Sequence, residues 1–420
     1  MSAGGSWKDL FLAAEEGDIT KVRYHLESGV DPNFQHPEYF TAPLFAAIKH
    51  GHLDLVKILI DEGKADPALV EELTDDSAVD VALACREFAI LDYLNAQLPT
   101  RERWSPHYVL VTTTGTGRNL EIGKEICRRF LGKGHRVLLV CNSKSIHNNR
   151  DELESVVDSI QKELRSDTNN PHVDCIVGSL ETVKGTRALA AKIRKRLPLL
   201  NTLIHNAVLW ATESKRKRNE DGLERSFMVN CMARKILTNE LMPLLNQNDD
   251  SRILYFLPDN STATLYTPDL NATPFGNDFH WYRTISRTAG CSTLSFLSAV
   301  REASDTSVAV SLVQAGRISE ALPTATSSTW LVYLLSWLFY LQGLVLWIDD
   351  NPVKLVTAAE PFLLAEIGEF ESLNGKTFRA QSGLTTETIG VDTRSVLLSR
   401  ATLEEWEQWM SDFLSRSSKS

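Results

Sequence analysis

Apolar and polar positions form two different patterns along the chain, one before and one after residue 100. In residues 7–95 the spacing is helical, and the run Ala13–Gly17 recurs 34 residues later as Ala47–Gly51. Beyond Pro99–Arg103, β-branched apolar runs alternate with amphipathic helical segments. Such alternation is typical of a parallel sheet with helices on both faces. The pattern therefore predicts an all-α region of repeats followed by an α/β domain.

The expected strands of the second region are short and apolar, and helical segments such as Leu180–Leu197 separate them. Near the C-terminus, Thr402–Phe413 begins with a capping box and carries apolar residues on one face, which predicts a short docking helix. The preceding polar segment, Ser382–Thr393, is expected to be loose. The strand candidates are Val109–Thr114, Arg136–Cys141, Val173–Val177, Thr202–His205, Arg252–Leu257 and Val308–Val313.

The repeats of the first region resemble ankyrin repeats. Thr41–Ala46 is similar to the TPLHxA signature, and Asp31–Asn33 and Asp66–Pro67 supply the turns after the helix pairs. A fainter third copy, Val79–Leu94, has Arg86 where a glycine is expected. The resemblance implies a module that binds a protein partner through its concave face. The alternative is a cap that docks on the neighbouring domain.

Composition narrows the functional classes. The net charge of −10 argues against binding to nucleic acid. The six cysteines are scattered without the spacing of a metal site, so we expect no metal centre and a reducing compartment. Met1–Gly5 lacks the basic-then-apolar pattern of a secretory signal, which favours a cytoplasmic location.

A glycine-rich turn joins the first expected strand of the second region to a helical pattern. Val109–Thr114 is followed by Gly115 and Gly117. Strand, glycine turn and helix open a dinucleotide-binding βαβ unit, because glycines admit a pyrophosphate and a helix start attracts anions. A plain strand–helix turn is the alternative. Thr116–Gly123 resembles the TGxxxGIG loop of short-chain dehydrogenases/reductases, with Glu121 in place of the middle glycine, where its carboxylate would oppose a dianionic ligand.

Further segments carry the same resemblance in order, from about residue 106 to residue 380. Leu203–Val208 is similar to the LINNAG motif, and Asp221–Asn230 resembles the DGxE…FxVN segment of the retinol-dehydrogenase-like branch. Arg252–Leu254 matches the entry to the fifth strand, and Leu373–Phe378 matches the closing LxGKYF. The resemblance implies a Rossmann-like, doubly wound parallel sheet with NADP or NAD as cofactor. It assigns the cofactor to Gly115, Gly117, Asn119, Ile122, Gly123, Asn142, Asn206 and Ala207.

Members of this family transfer hydride between the cofactor and an alcohol or carbonyl, using a serine, a tyrosine, a lysine and an asparagine. Asn230 matches the asparagine of the proton relay; alternatively, it is an ordinary helix-kink residue. The paired serines of the family fall on Leu257 and Pro258. Ser261 lies three residues too late, so it is a catalytic candidate only in a rearranged site.

The tyrosine and the cation are also out of register. Tyr282 lies in the expected region, but Ser286 stands four residues later, where the family has lysine, and Arg287 stands five residues later. On a helix, residues four apart share a face and residues five apart do not. An alternative alignment places Arg283 and Arg287 at the family spacing and loses the tyrosine. Tyr282 and Arg287 therefore remain candidates of a rearranged site.

Several cofactor positions are altered as well. Asn142 stands where the family has an acid or an arginine that reads the adenosine ribose, and Ile176 stands where it has an aspartate. Val208 replaces a glycine near the nicotinamide ribose, and Ala315–Gly316 replaces a PG turn. Together with Glu121, these changes predict weak cofactor binding and lost catalysis.

Two further stretches have open interpretations. Lys215–Arg218 is either a nuclear-localisation or anionic-lipid patch or a solvated loop. Thr329–Ile348 carries no charge and is long enough to span a bilayer. It is a hydrophobic lid, a lid that dips into a membrane surface, or a true span. Strand motifs on both sides and Asp349–Asp350 after it argue against the span, so peripheral membrane contact through residues 329–348 is the most that we expect.

The expected organisation is an ankyrin-repeat domain at 1–100, a linker at 101–105, a dehydrogenase-like domain at 106–385 and a polar tail with an amphipathic helix at 386–420. Two functions fit it. The first is a binding or scaffold protein with a non-catalytic dehydrogenase-like domain. The second is an NAD(P)(H)-dependent oxidoreductase acting on a lipophilic alcohol or ketone, as the apolar run suggests.

Overall fold

Contacts divide the chain into two compact units. The first unit contains residues 1–106 with the short segments 131–135 and 165–172, and the second contains the remainder. The computed structural model describes residues 3–35, 39–72, 74–99, 104–142, 150–209, 218–248, 251–257, 281–315, 353, 356, 357, 359, 377–380, 388–389 and 400–417.

Within these ranges, three pairs of α-helices form the first unit, as the repeat pattern predicts. Small alanines at the contacts let the helices approach closely and are buried, with Ala14, Ala47 and Ala82 fully inaccessible. A π-helical turn, Ile58–Glu62, extends the fourth helix. The helices are α1 (Ala3–Glu16), α2 (Ile19–Glu27), α3 (Pro43–Lys49), α4 (Leu53–Lys57), α5 (Ala78–Cys85) and α6 (Phe88–Gln97).

The turns inside the three helix pairs share one backbone geometry. Gly17 and Gly51 have φ values of +83° and +73°, in the left-handed region that glycine adopts without steric cost. Arg86 has a φ of +60° at the corresponding place in the third pair. The third repeat therefore keeps the turn although its residue raises the cost of that conformation by about 1 kcal/mol.

A sheet organises the second unit. Its described strands are β1 (Tyr108–Thr113), β2 (Arg136–Asn142), β3 (Val173–Gly178), β4 (Thr202–His205), β5 (Arg252–Leu257), β6 (Ala309–Ala315), β7 (Thr377–Ala380) and β8 (Thr388–Ile389). Their spatial order is β3-β2-β1-β4-β5-β6-β7-β8. All neighbouring pairs are parallel except β7 and β8. This is the order of a doubly wound, Rossmann-like sheet.

Helices follow the strands as the alternating pattern predicts. A π-helical turn, Met228–Met232, joins α10 to α11. The predicted C-terminal helix is confirmed, and its Trp406 and Met410 are buried in the core that the sheet and helices share. The helices are α7 (Gly117–Gly132), α8 (Arg150–Thr168), α9 (Val183–Arg196), α10 (Arg225–Phe227), α11 (Ala233–Leu245), α12 (Trp281–Ala303) and α13 (Arg400–Ser417).

The six predicted strands agree with β1–β6 to within two residues at each end. One expectation is wrong: Thr388–Ile389, inside the segment expected to be loose, forms β8 and pairs with β7. Because β1–β7 are parallel, their carboxyl ends lie at one edge of the sheet. Ligands of open α/β sheets bind at this edge, so we expect the functional site to lie there.

Candidate functional site

The glycine turn, residues 114–119, connects β1 to α7 at the carboxyl edge of the sheet. Gly115 and Gly117 both adopt positive φ, at +83° and +60°, and α7 begins at Gly117. Thr116 and Gly117 are exposed. The first four N–H groups of a helix have no acceptor inside the helix, and they attract anions. The backbone at Thr116 and Gly117 is therefore accessible at the start of this helix.

Asn119 holds the glycine turn together. Its amide oxygen accepts a hydrogen bond from the backbone N–H of Thr114 at 2.9 Å and from the hydroxyls of Thr113 and Thr114 at 3.1 Å each. Its amide nitrogen donates to the carbonyl of Asn206 at 2.7 Å, and the amide of Asn206 donates to the carbonyl of Asn119 at 3.1 Å. Both side chains are buried. The structure thus brings together two of the residues that the resemblance assigns to the cofactor.

The remaining residues around the turn pack between helix and strand. The backbone N–H of Ala207 donates to the hydroxyl of Thr112 at 3.2 Å. A Cβ on Gly123 would lie 3.2 Å from the amide nitrogen of Asn206, so the absence of a side chain permits this close approach. Ile122 is buried. Ile122 and Gly123 lie in the second turn of α7, where they set its distance from the sheet.

Glu121, expected to oppose a ligand phosphate, lies in the second turn of α7, which begins at Gly117. The Glu121 carboxylate lies 3.1 Å from the ammonium group of Lys124, which also pairs with Glu163 at 2.6 Å. Glu121 is therefore paired along the helix with a lysine that it shares with Glu163.

Asn142, the predicted ribose-binding residue, ends β2 and is fully buried. Its amide oxygen accepts from the backbone N–H of Leu180 at 3.0 Å, and its amide nitrogen donates to the carboxylate of Glu181 at 3.2 Å. Glu181 also receives two hydrogen bonds from Arg225, at 2.8 and 2.9 Å. These bonds tie Asn142 to the protein itself. Ile176 lies inside β3, two residues before the end of that strand, so it belongs to the core and not to the carboxyl edge of the sheet.

Asn230 lies in the π-helical turn between α10 and α11, a feature that is frequent at functional sites. Its side-chain oxygen accepts from the N–H of Leu209 at 2.7 Å, and its side-chain nitrogen donates to the carbonyl of Leu209 at 2.9 Å. Its own carbonyl accepts a hydrogen bond from the hydroxyl of Ser292 at 3.0 Å. Its side-chain amide and its backbone carbonyl are therefore engaged by the protein.

Sequence reasoning missed a buried polar group beside Asn230. Arg234 donates from Nη2 to the carbonyl of Ala207 at 2.7 Å, whereas its Nε and Nη1 have no hydrogen-bond partner among the described residues. Burial lowers the pKa of Arg234 to about 10. The visible signal was a pair of charged residues, Arg234 and Lys235, inside the apolar stretch that follows Asn230. His205, Asn230, Arg234 and Ser292 are called the Asn230 cluster below.

His205 belongs to this cluster at the end of β4. Its Nε2 lies 3.0 Å from the hydroxyl of Thr238, and its ring centroid lies 4.8 Å from that of Tyr255. Burial, with a smaller contribution from the charge of Arg234, lowers the pKa of His205 well below its usual value. Burial also raises the pKa of Tyr255. Both groups are therefore neutral near pH 7 and fill the interior beneath the strand edge.

The other predicted catalytic residues are placed only in part. Tyr282, Ser286 and Arg287 all lie in α12, so the out-of-register spacing falls on one helix. Leu257 ends β5. Ser261, Pro258 and the uncharged run at 329–348 lie outside the described residues. Among the described residues, His, Cys, Asp and Glu side chains form no group that could hold a metal ion.

Comparison with protein families confirms both resemblances. Residues 107–261 match the short chain dehydrogenase family model, and residues 10–99 match ankyrin repeats in three copies. Human retinol dehydrogenase 13 is 30% identical over 148 residues, which cover 34% of this chain and 40% of that protein. A putative ankyrin repeat protein of fowlpox virus is 30% identical over 117 residues, covering 27% of this chain and 15% of that protein.

The matched part is thus about two fifths of the dehydrogenase relative. Among solved structures, a metagenomic short-chain oxidoreductase in complex with NADP is 15% identical, with a TM-score of 0.42, and the match covers 66% of this chain and 98% of that one. None of the helices in the described part of the chain combines the length and the hydropathy needed to cross a membrane.

Proposed function

Because this chain carries ankyrin repeats followed by a short-chain dehydrogenase-like domain, we propose that it is a binding or scaffold protein whose second domain does not transfer hydride. In this proposal the repeats recruit a protein partner. The sheet domain serves as a platform or as a sensor of a phosphate-bearing ligand.

The engagement of Asn230 carries this proposal. A proton relay needs groups that exchange protons with the substrate or with water, and general acid–base help contributes about 10² to 10⁴ in rate. Here the amide of Asn230 bonds Leu209, and its carbonyl bonds Ser292. Leu257 and Ser286 stand where the family has a serine and the lysine. Neither the serine nor the lysine of the family is then in register with Tyr282.

The fit to a nicotinamide dinucleotide differs between its two ends. The turn at Gly115 and Gly117 would hold the pyrophosphate, since Thr116 and Gly117 are exposed at the start of α7. Asn142 does not fit the adenosine ribose, because its amide already bonds Leu180 and Glu181. When bound, the cofactor supplies or accepts hydride. We expect NADP or NAD to bind weakly through its phosphates.

The second candidate function is an NAD(P)(H)-dependent oxidoreductase that acts on a lipophilic alcohol or ketone. The intact glycine turn favours it, as does the likeness to a protein named retinol dehydrogenase. In that case Tyr282, Arg287 and Ser261 would form a rearranged site. Residues 329–348 would then cover the cleft as an apolar lid.

Calorimetry and turnover on the purified full chain separate the two functions. We expect no micromolar affinity for NADPH or NADH and no turnover of retinoid or steroid carbonyls above background. The matched variants are Tyr282→Phe and, as a control remote from the site, Tyr24→Phe in the repeats. Micromolar NADPH affinity with turnover that only Tyr282→Phe abolishes would establish the oxidoreductase instead.

We further propose a cytoplasmic protein whose residues 329–348 touch a membrane surface at most. The uncharged run supports contact, and the strand motifs on both sides of it argue against crossing. Protease treatment of sealed vesicles that carry the protein tests this. Both ends of the chain should be digested from the same side. Protection of one end alone would show a span.

A further inference from the structure

The hairpin loops that follow the first two helix pairs of the repeats present large apolar side chains to solvent. Four of them are close to two-fifths exposed: Phe34 (43%), Tyr39 (43%), Phe40 (38%) and Val70 (42%). Single exposed apolar residues are ordinary on protein surfaces, but a contiguous group marks an interaction site. These four residues are called the loop patch.

Hydrogen bonds join the two loops into one surface. The amide of Gln35 donates to the carbonyl of Val70 at 2.8 Å and accepts from the backbone N–H of Glu72 at 3.1 Å. The amide oxygen of Asn33 accepts from the N–H of Asp66 at 2.7 Å. A surface that is ordered before binding loses less conformational entropy on association. The loop patch is therefore suited to bind a partner.

Two rings of the patch, those of Phe34 and Tyr39, pack against a buried aromatic side chain. Trp7 is 1% exposed, and its ring centroid lies 5.8 Å from that of Phe34 and 6.0 Å from that of Tyr39. The indole N–H of Trp7 donates to the carbonyl of Phe34 at 2.6 Å. Aromatic side chains with rigid support are the usual anchors of protein interfaces.

Phe40 adopts a backbone conformation that is rare for a bulky residue. Its φ is +52°, in the left-handed region. This conformation costs a non-glycine residue about 1 kcal/mol, so it persists only where the surrounding structure enforces it. Strain of this kind clusters at functional sites, and here it accompanies an exposed ring.

The charges around the patch select the partner. Glu72, Asp75 and Asp76 are exposed beside Val70, and none of them takes part in a salt bridge with a described residue. Glu71 differs from them, because it is buried and pairs with Lys49 at 2.6 Å. The imbalance extends over the repeats: residues 1–99 contain seven lysines and arginines against eighteen aspartates and glutamates, whereas residues 100–420 contain 37 against 36.

We propose that the loop patch binds a short, lysine- or arginine-rich protein segment that carries an apolar anchor. The anchor packs on Phe34, Tyr39, Phe40 and Val70, and the cations of the segment face the carboxylates of Glu72, Asp75 and Asp76. A second copy of this chain is disfavoured as occupant because its repeats carry the same negative charge. This inference rests on the proposed binding role of the repeats and names the class of partner.

Fluorescence anisotropy with the full chain and three labelled synthetic peptides tests the proposal. The first peptide alternates lysine or arginine with leucine, the second has glutamine in place of the cations, and the third has serine in place of leucine. We expect the first to bind at least tenfold more tightly than either analogue. Its affinity should also fall as salt rises, because salt screens exposed charges.

Two sets of variants locate the binding. Phe40→Gly removes the ring and leaves a residue that accepts positive φ, so the fold should persist while affinity for the first peptide falls at least fivefold. Glu72→Lys with Asp76→Lys should weaken it at least tenfold. The matched charge control is Glu27→Lys with Asp54→Lys, both exposed on α2 and α4, and it should change affinity less than twofold.

Three outcomes overturn the inference. Equal binding of the glutamine peptide would reject the basic partner, and equal weakening by the control pair would reject the location. Self-association that Phe40→Gly abolishes would make a second copy the occupant. None of these bears on hydride transfer, which the NADPH experiment measures separately, so the two proposals fail independently.

Discussion

The glycine turn and the Asn230 cluster lie at the same edge of one sheet, yet they differ in how their polar groups are engaged. In the turn, Asn119 and Asn206 bond each other reciprocally and leave the backbone at Gly117 exposed. In the cluster, the amide and the carbonyl of Asn230 are engaged by Leu209 and Ser292. The turn leaves backbone groups exposed at Thr116 and Gly117, whereas the side chains of the cluster are buried.

This difference shows that binding and chemistry depend on separate residues of one fold. Anion binding at a helix start uses backbone groups, which survive any side-chain change that preserves the turn. Proton transfer uses particular side chains at particular positions, and one substitution removes it. If the second domain does not transfer hydride, as we propose, hydrogen-bonded asparagines keep the shape of the turn without the groups that transfer protons.

The largest effect on the free energy of unfolding is expected for a substitution in the glycine turn. Asn119→Ala should lower the free energy of unfolding by about 3 kcal/mol, because the N–H of Thr114 and the carbonyl of Asn206 lose a buried partner. Chemical denaturation measures it, and a double-mutant cycle with Asn206→Ala should show a coupling of about 1 kcal/mol. Additive effects of the two variants would show that the two bonds stabilise the turn independently.

A smaller effect on stability, which depends on pH, is expected for His205 in the Asn230 cluster. Because burial holds the folded-state pKa of His205 well below its unfolded value of 6.5, only the unfolded chain gains a proton as the pH falls. The contribution of His205 to stability is constant while the pH is above the unfolded-state pKa of 6.5. It decreases at lower pH, by about 1.6 kcal/mol between pH 6.5 and pH 5.

The measurement compares urea denaturation of the native chain and of His205→Gln across this range. The variant should lose less stability than the native chain on acidification, and the control variant His25→Gln in the repeats should not. Parallel pH profiles for the native chain and His205→Gln would show that His205 is protonated in the folded protein.

The sequence predicted the framework of both regions better than their contacts. β1–β6 were predicted because β-branched runs mark buried strands wherever they occur. The motif located the glycine turn that follows β1, but it did not predict that Glu121 pairs with Lys124. The bond from Ser292 to Asn230 joins residues 62 positions apart, and no local pattern encodes such a pair.

The next prediction concerns that bond. Ser292→Ala should lower the free energy of unfolding by about 1 kcal/mol, since the carbonyl of Asn230 loses a buried donor. It should create no turnover of retinoid or steroid carbonyls with NADPH, because removing the hydroxyl restores neither the serine nor the lysine. Turnover by this variant alone would mean that Ser292 blocks a relay that is otherwise intact.

The smallest effect, on affinity for NADPH, is expected for Glu121→Ala. This variant tests whether the Glu121 carboxylate influences binding at the glycine turn. The Glu121 carboxylate pairs with Lys124 along the second turn of α7, and the ligand-facing start of the helix is at Gly117. Removing it should therefore change the affinity for NADPH less than twofold, or about 0.4 kcal/mol. Saturation-transfer NMR detects weak binding and suits the measurement, and alanine keeps the helix.

The matched variant is Gly117→Val, which forces a β-branched side chain into positive φ at the turn itself and should abolish the signal. A fivefold tightening by Glu121→Ala would instead show that this carboxylate reaches the phosphates of NADPH and weakens their binding at the glycine turn.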